Sequence, residues 1–148
     1  MKQLIYLFFI FELTYADSFV LNIENDFIND TDRHLTNRVE FSWMFDTNTT
    51  KYNQLGFTIT HDTFTPEDDA KNKTDYDMPY AGYLYGNLNF YFLKENYLNS
   101  IGIGIGTIGK YSYAKQFQTE FHKIIGANKP LGWDNQIGDK TTYNINYN

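Results

Sequence analysis

Thr36 to Phe45 reads TNRVEFSWMF. Val39, Phe41, Trp43 and Phe45 fall on one side of an extended chain and Thr36, Arg38, Glu40 and Ser42 on the other, because successive β side chains point to opposite faces. The stretch predicts a strand with one apolar and one polar face. The same period of two recurs outward from it. Phe19, Leu21 and Ile23 oppose Val20, Asn22, Glu24 and Asp26, and Leu55, Phe57 and Ile59 alternate with Thr58 and Thr60. Leu84, Leu88, Phe90 and Phe92 alternate with Tyr83, Tyr85, Asn87, Asn89 and Tyr91, and the run IGIGIGTIG from Ile101 to Gly109 sets isoleucines against Gly102, Gly104 and Gly106. A last run, Thr142 to Asn148, alternates Tyr143, Ile145 and Tyr147 with asparagines. About six strands are expected, and the fold class is all-β.

The apolar faces belong either to the core of a soluble sandwich or to the lipid side of a membrane barrel. With 148 residues, the chain has room for one moderate core, yet it carries 13 Tyr and 13 Phe. That excess over the needs of one core, the bulky polar residues on the other faces, and the aromatics near strand ends (Trp43, Phe45, Tyr91, Phe92) favour an antiparallel transmembrane β-barrel. Connection lengths agree: Asp46 to Lys51 and Lys94 to Asn96 are short, while Phe27 to His34, Thr63 to Pro79 and Lys110 to Lys140 are long. Chemistry is expected at the long-loop rim.

Met1 to Ala16, MKQLIYLFFIFELTYA, has a basic start, an apolar run from Leu4 to Phe11 and a small residue before Asp17, the pattern of a secretory signal peptide. Residues 17–148 are then the mature domain. No later apolar stretch approaches the roughly 20 residues of a spanning helix, so a membrane location requires strands. The absence of cysteine excludes disulfides and thiolate metal sites, and the net charge of −6 argues against nucleic acid as a partner.

One segment breaks the β pattern. In Gln116 to Gln136, QFQTEFHKIIGANKPLGWDNQ, Phe117, Phe121, Ile124 and Ile125 form an apolar stripe at helical spacing, and Gln118 and His122 lie four apart on a neighbouring face. Ser112 suits the N-cap, Gly126 the left-handed residue past the end, and Pro130 forbids continuation. A loop helix of about three turns is predicted. The glycine face of Ile101 to Gly109 is its expected seat, since a row of glycines lets another element approach the backbone.

No serine sits in G-x-S-x-G, and H-E-x-x-H is absent. What remains is His122 beside Gln118, with hard oxygen donors at Asn25, Asp26, Asp30, Asp32 and Thr36 that suit calcium or magnesium. A neutral histidine activating water, with a cation stabilising an oxyanion, would hydrolyse an ester without a nucleophilic side chain. The plain alternatives are a packing histidine and an ordinary polar turn. Lys110, Lys115, Lys123 and Lys129 suit either a solvated loop or contact with phosphates.

Three ordered segments carry a family resemblance: ENDFINDTDRHLTN (Glu24 to Asn37), DMPYAGYLY (Asp77 to Tyr85), and Gln118-x-x-x-His122-x-x-x-Gly126 followed by PLGWDNQ (Pro130 to Gln136). They resemble the LpxR family of outer-membrane lipid A 3'-O-deacylases, over the mature chain but only the N-terminal half of a typical member. The resemblance implies a twelve-stranded barrel of which this chain supplies about six strands, with the active site between the inner wall and a loop helix. It implies a calcium-dependent esterase acting on lipid A, or lipopolysaccharide, in the outer membrane. By motif position, His122 would be the base, Gln118 would position water or substrate, and Asn25 would help hold the oxyanion. Asp26 and Thr36 would belong to the Ca²⁺ site, and Lys71 would meet lipid phosphates. The sequence departs from the family at Met78, Arg38, Asn128 and Lys140. The rival expectations are a non-catalytic truncated barrel fragment or porin-like structural protein, and a secreted soluble sandwich.

Overall fold

The computed structural model describes residues 9–13, 17–25, 34–47, 53–66, 78–94 and 96–148. Seven strands follow one another: β1 (Phe9–Leu13), β2 (Asp17–Asn25), β3 (His34–Asp46), β4 (Gln54–Thr65), β5 (Ala81–Lys94), β6 (Tyr97–Ile108) and β7 (Lys140–Tyr147). One α-helix, α1 (Ala114–Ile125), interrupts the series between β6 and β7. All six expected strands are present. The additional one, β1, falls inside the stretch read as a signal peptide.

Each strand pairs antiparallel with the next, giving a single meander in the order β1 to β7. Among the described residues β1 and β7 do not meet, so the sheet is open. Residues 47–53 and 95–96 make the short connections; the long ones are 26–33, 66–80 and 109–139. The long connections therefore share one end of the sheet, and α1 lies in the last of them. Among the described residues no helix is long and apolar enough to cross a membrane.

Register turns the sequence alternation into two continuous faces. Leu21, Phe41, Ile59, Gly86, Ile105 and Tyr143 are successive partners across β2 to β7, one row of the apolar face. One residue along, the polar row runs Asn22, Glu40, Thr60, Tyr85, Gly106 and Thr142. The polar face is crowded. Arg38 forks onto Asp62 (Nε to Oδ1 2.7 Å, Nη2 to Oδ2 2.9 Å), Ser42 meets Thr58 at 3.1 Å, and Thr60 donates to Glu40 at 3.3 Å. The apolar face stands open, with Phe41, Phe57 and Ile59 about two-fifths exposed. Close polar contact on one side and exposed hydrocarbon on the other match the lumen and lipid sides of a barrel wall.

The β6 glycines lie on the crowded face. A Cβ at Gly102 or Gly104 would overlap the amide oxygens of Asn89 and Asn146 or of Asn87 and Asn144, and at Gly106 it would come within 2.6 Å of Tyr85. Those glycines make room for large polar side chains of the adjacent strands. The expectation that they seat the helix is corrected.

Candidate functional site

The helix sits elsewhere. Gly82 of β5 is on the apolar face, and a Cβ there would overlap Ser112 Oγ and Ala114 Cβ, so only glycine lets the start of α1 approach the wall this closely. Backbone bonds from Gly109 N–H to the Gly82 carbonyl (3.0 Å) and from Ile137 N–H to the Tyr80 carbonyl (2.9 Å) fasten both ends of the long loop to β5 and the residue that precedes it. Tyr113, at φ 61°, is the N-cap; Ser112 instead closes the preceding 3-10 turn, its Oγ donating to the Gly109 carbonyl at 2.6 Å. Gly126 ends the helix at φ 72°, as the sequence predicts.

The helix is inverted relative to its pattern. Ala114, Gln118 and His122 are its buried residues, whereas Phe117, Ile124 and Ile125 are exposed, Ile124 by 82 %. Phe117, Phe121 and Ile125 border the wall at their inner edges, and the apolar surface left outside, Ile124 above all, is unfavourable in water and favourable against hydrocarbon. The amphipathic pattern is thus satisfied only if lipid lies on the outer side. The polar residues meanwhile press onto the wall.

Asn25, Asn37, Thr63 and Gly82 are successive register partners across β2, β3, β4 and β5, one row at the long-loop end of the apolar face. Above it lie Phe117, Gln118, Phe121, His122 and Ile125, enclosing with Asn25, Thr36, Asn37 and Thr63 a crevice of about 10 Å³. That is room for about one water molecule. A β-bulge between Leu35 and Asn37 makes Thr36 an extra residue, and its hydroxyl meets Thr65 Oγ1 at 2.5 Å. The bulge brings Thr36 into the crevice lining beside Asn37.

His122 Nδ1 lies 2.5 Å from the carbonyl oxygen of Asn128, a partner that can only accept, so Nδ1 carries a proton and, in the neutral imidazole, Nε2 is the accepting nitrogen. This is the tautomer a base on water requires. Gln118 is fixed by the opposite polarity: Trp133 Nε1–H donates to Gln118 Oε1 at 2.7 Å, leaving the amide Nε2 as a buried donor without a protein partner. Trp133, Tyr80 and Ala114 form a small fully buried cluster, with the Tyr80 and Trp133 rings 5.1 Å apart. The crevice lining therefore includes a histidine and an amide with a free N–H donor. A neutral histidine can accept a proton from water, and an N–H donor suits an oxygen bearing developing negative charge.

The structure brings His122, Gln118, Asn25 and Thr36 together in one lining. Asp26 and Lys71 lie outside the described residues. Sequence reasoning missed Asn37, Thr63 and Gly82, whose shared signal is pairing register and is invisible in any single strand, and Trp133, which joins the site through Gln118. Two of them bear on a cation: Asn37 Oδ1 and Thr63 Oγ1 are buried oxygens without hydrogen-bond partners at the crevice. Neutral hard oxygens of this kind fit Ca²⁺, with a carboxylate to complete the charge. Among the described residues no three His, Asp or Glu side chains cluster as metal ligands. Two family departures leave this geometry intact. Arg38 is paired with Asp62 on the opposite face, and Asn128 contributes its backbone carbonyl rather than its side chain.

Comparison with known proteins agrees with the fold. The family described as "Outer membrane protein LpxR" matches residues 4–148. Among solved structures, LpxR from Salmonella typhimurium is similar, with a TM-score of 0.62 and 28% identity over 76% of this chain. The match covers 39% of that protein, so the chain spans well under half of its length. Comparison with curated proteins finds no match.

Proposed function

The chain belongs to the LpxR family of outer membrane proteins, and on that premise we propose that it forms the catalytic wall of an esterase removing the 3' acyloxyacyl group of lipid A. Export would use Met1 to Ala16, and after cleavage β2 would be the edge strand. One observation carries the reading: His122 and Gln118 are buried against the Asn25, Asn37 and Thr63 row on the lipid side of the wall. A lipid ester in the outer leaflet arrives on that side.

In this reading His122 Nε2 takes a proton from water as the water oxygen bonds to the ester carbonyl carbon. The proton then passes to the departing alkoxide oxygen as its bond to carbon breaks, giving a free fatty acid and the lipid hydroxyl. The Asn128 carbonyl holds the imidazole in the accepting tautomer and stabilises the imidazolium. Gln118 Nε2 and Asn25 donate to the carbonyl oxygen. Asp26, Thr36, Asn37 and Thr63 would supply oxygens for Ca²⁺, whose charge would polarise the carbonyl when bound. Lys71 would meet the lipid phosphates.

His122→Ala and, separately, EDTA should abolish 3' deacylation in outer membranes, read from lipid A mass spectra. Unchanged spectra with an assembled protein would favour a non-catalytic wall in which His122 only packs.

A further inference from the structure

Two glycines occupy the apolar face of β5, four residues apart, and they are used in opposite ways. Gly82 is filled, with Ser112 and Ala114 where its side chain would be. Gly86 is open: a Cβ there would meet nothing nearer than 3.7 Å. Its register partners are Ile59 and Ile105, and with Phe57, Leu84 and Leu88 they border a groove of about 650 Å³, larger than any one missing side chain.

The groove and the crevice lie along one strand face, Thr63 lining the crevice and Ile59 the groove, with His61 between them. Thr63, His61 and Ile59 are alternate residues of one strand face, and His61 meets Phe117 of α1 with ring centroids 5.1 Å apart. The step from the Gly82 row to the Gly86 row is four residues, about 13 Å at the strand rise. One leaflet of hydrocarbon is about 15 Å deep, half of a core about 30 Å thick. A chain whose ester carbonyl lies at the crevice reaches the groove without leaving its leaflet.

We propose that the groove at Gly86 receives the hydrocarbon chain of the ester held beneath α1 and so sets the acyl length the site accepts. The inference rests on the esterase reading for its substrate. Surrounding lipid competes for the groove and is as apolar as its walls, so selection comes from dispersion and steric fit rather than from escape from water. The expected discrimination therefore lies at the low end for a hydrophobic pocket, on the order of tenfold.

Two readouts separate this claim from the esterase reading. In outer membranes carrying the intact protein, Gly86→Leu should shift the ratio of long-chain to short-chain 3' ester release about tenfold toward short chains, and Gly86→Ala should shift it less. A lipid A probe with a mid-chain diazirine should label residues 54–65 and 81–94, and Gly86→Leu should suppress that labelling. Heat-modifiable gel mobility verifies assembly, and Gly86→Ala serves if the larger variant fails to assemble. An unchanged length ratio in the assembled variants, or equal labelling by a phosphatidylethanolamine bearing the same diazirine, overturns the groove. If His122→Ala leaves release unchanged, the esterase reading fails. The labelling arm still decides whether a chain sits at Gly86.

Discussion

The two faces of the sheet are built from the same strands and obey different rules. On the polar face, contacts are specific and local: Arg38 with Asp62, Ser42 with Thr58, and Thr142 Oγ1 donating to Tyr83 OH at 3.0 Å. On the apolar face, most side chains are left for hydrocarbon, and specific polar contacts gather at the long-loop end, beneath and beside α1. The lesson is one of location. The candidate site lies not on the polar inner face, where the family resemblance leads one to expect it, but at the end of the apolar face, where Gly82 seats α1.

The sharpest way to break that division is Gly82→Leu, which changes no polar group yet removes the seat of α1. Activity should fall about a hundredfold, since misplacement of catalytic groups by about 1 Å has that effect, while gel mobility of the assembled barrel persists. Retained activity would mean that α1 is not positioned by β5. The converse test is Arg38→Ala on the polar face. Asp62, 3 % exposed, would lose its partner, and stability should drop by about 3 kcal/mol. Urea unfolding measures it, and 3' ester release by the folded protein should change little.

A finer test lies within the site. Trp133→Phe keeps an aromatic side chain and removes the N–H that donates to Gln118 Oε1, together with the pyrrole ring. Stability should fall by about 2 kcal/mol, from the buried acceptor left unpaired and the cavity. Turnover should drop about tenfold with KM nearly unchanged, since a freed Gln118 amide is lost mainly from the transition state. The smallest effect belongs to the loop surface. Lys115 Nζ donates to Asp134 at 2.7 Å and holds its carboxyl below the usual value, so any stabilisation is present above the ordinary carboxylate pKa and disappears as pH falls through the lowered one. Both groups face solvent. Asp134→Asn should therefore be indistinguishable from the native protein in thermal melts at neutral pH.

The strands were legible because period two survives in any sequence with one face in lipid, and the helix because its caps and spacing are local. Its orientation was not legible. Phe117, Phe121, Ile124 and Ile125 would face a protein core in water; here Gln118 and His122 take the inside because the surroundings supply the apolar partner. The β6 glycines misled for a related reason. A glycine row signals close approach, but the approaching groups are Asn87, Asn89, Asn144 and Asn146 of the adjacent strands, while the seat is the solitary Gly82. Asn37 and Thr63 could be assigned only after pairing joined them to Asn25.

That row has a consequence for how the protein can change over generations. Asn25, Asn37 and Thr63 come from three strands and meet only in one frame of pairing. Gain or loss of one residue within β3 turns part of the strand to the lumen and dismantles the row at once, whereas the long connections lie outside the frame. Length variation among homologues should accordingly be concentrated in 26–33 and 66–80 and be nearly absent from the strand segments that run into the row. The family's tolerance of insertion is a map of its register.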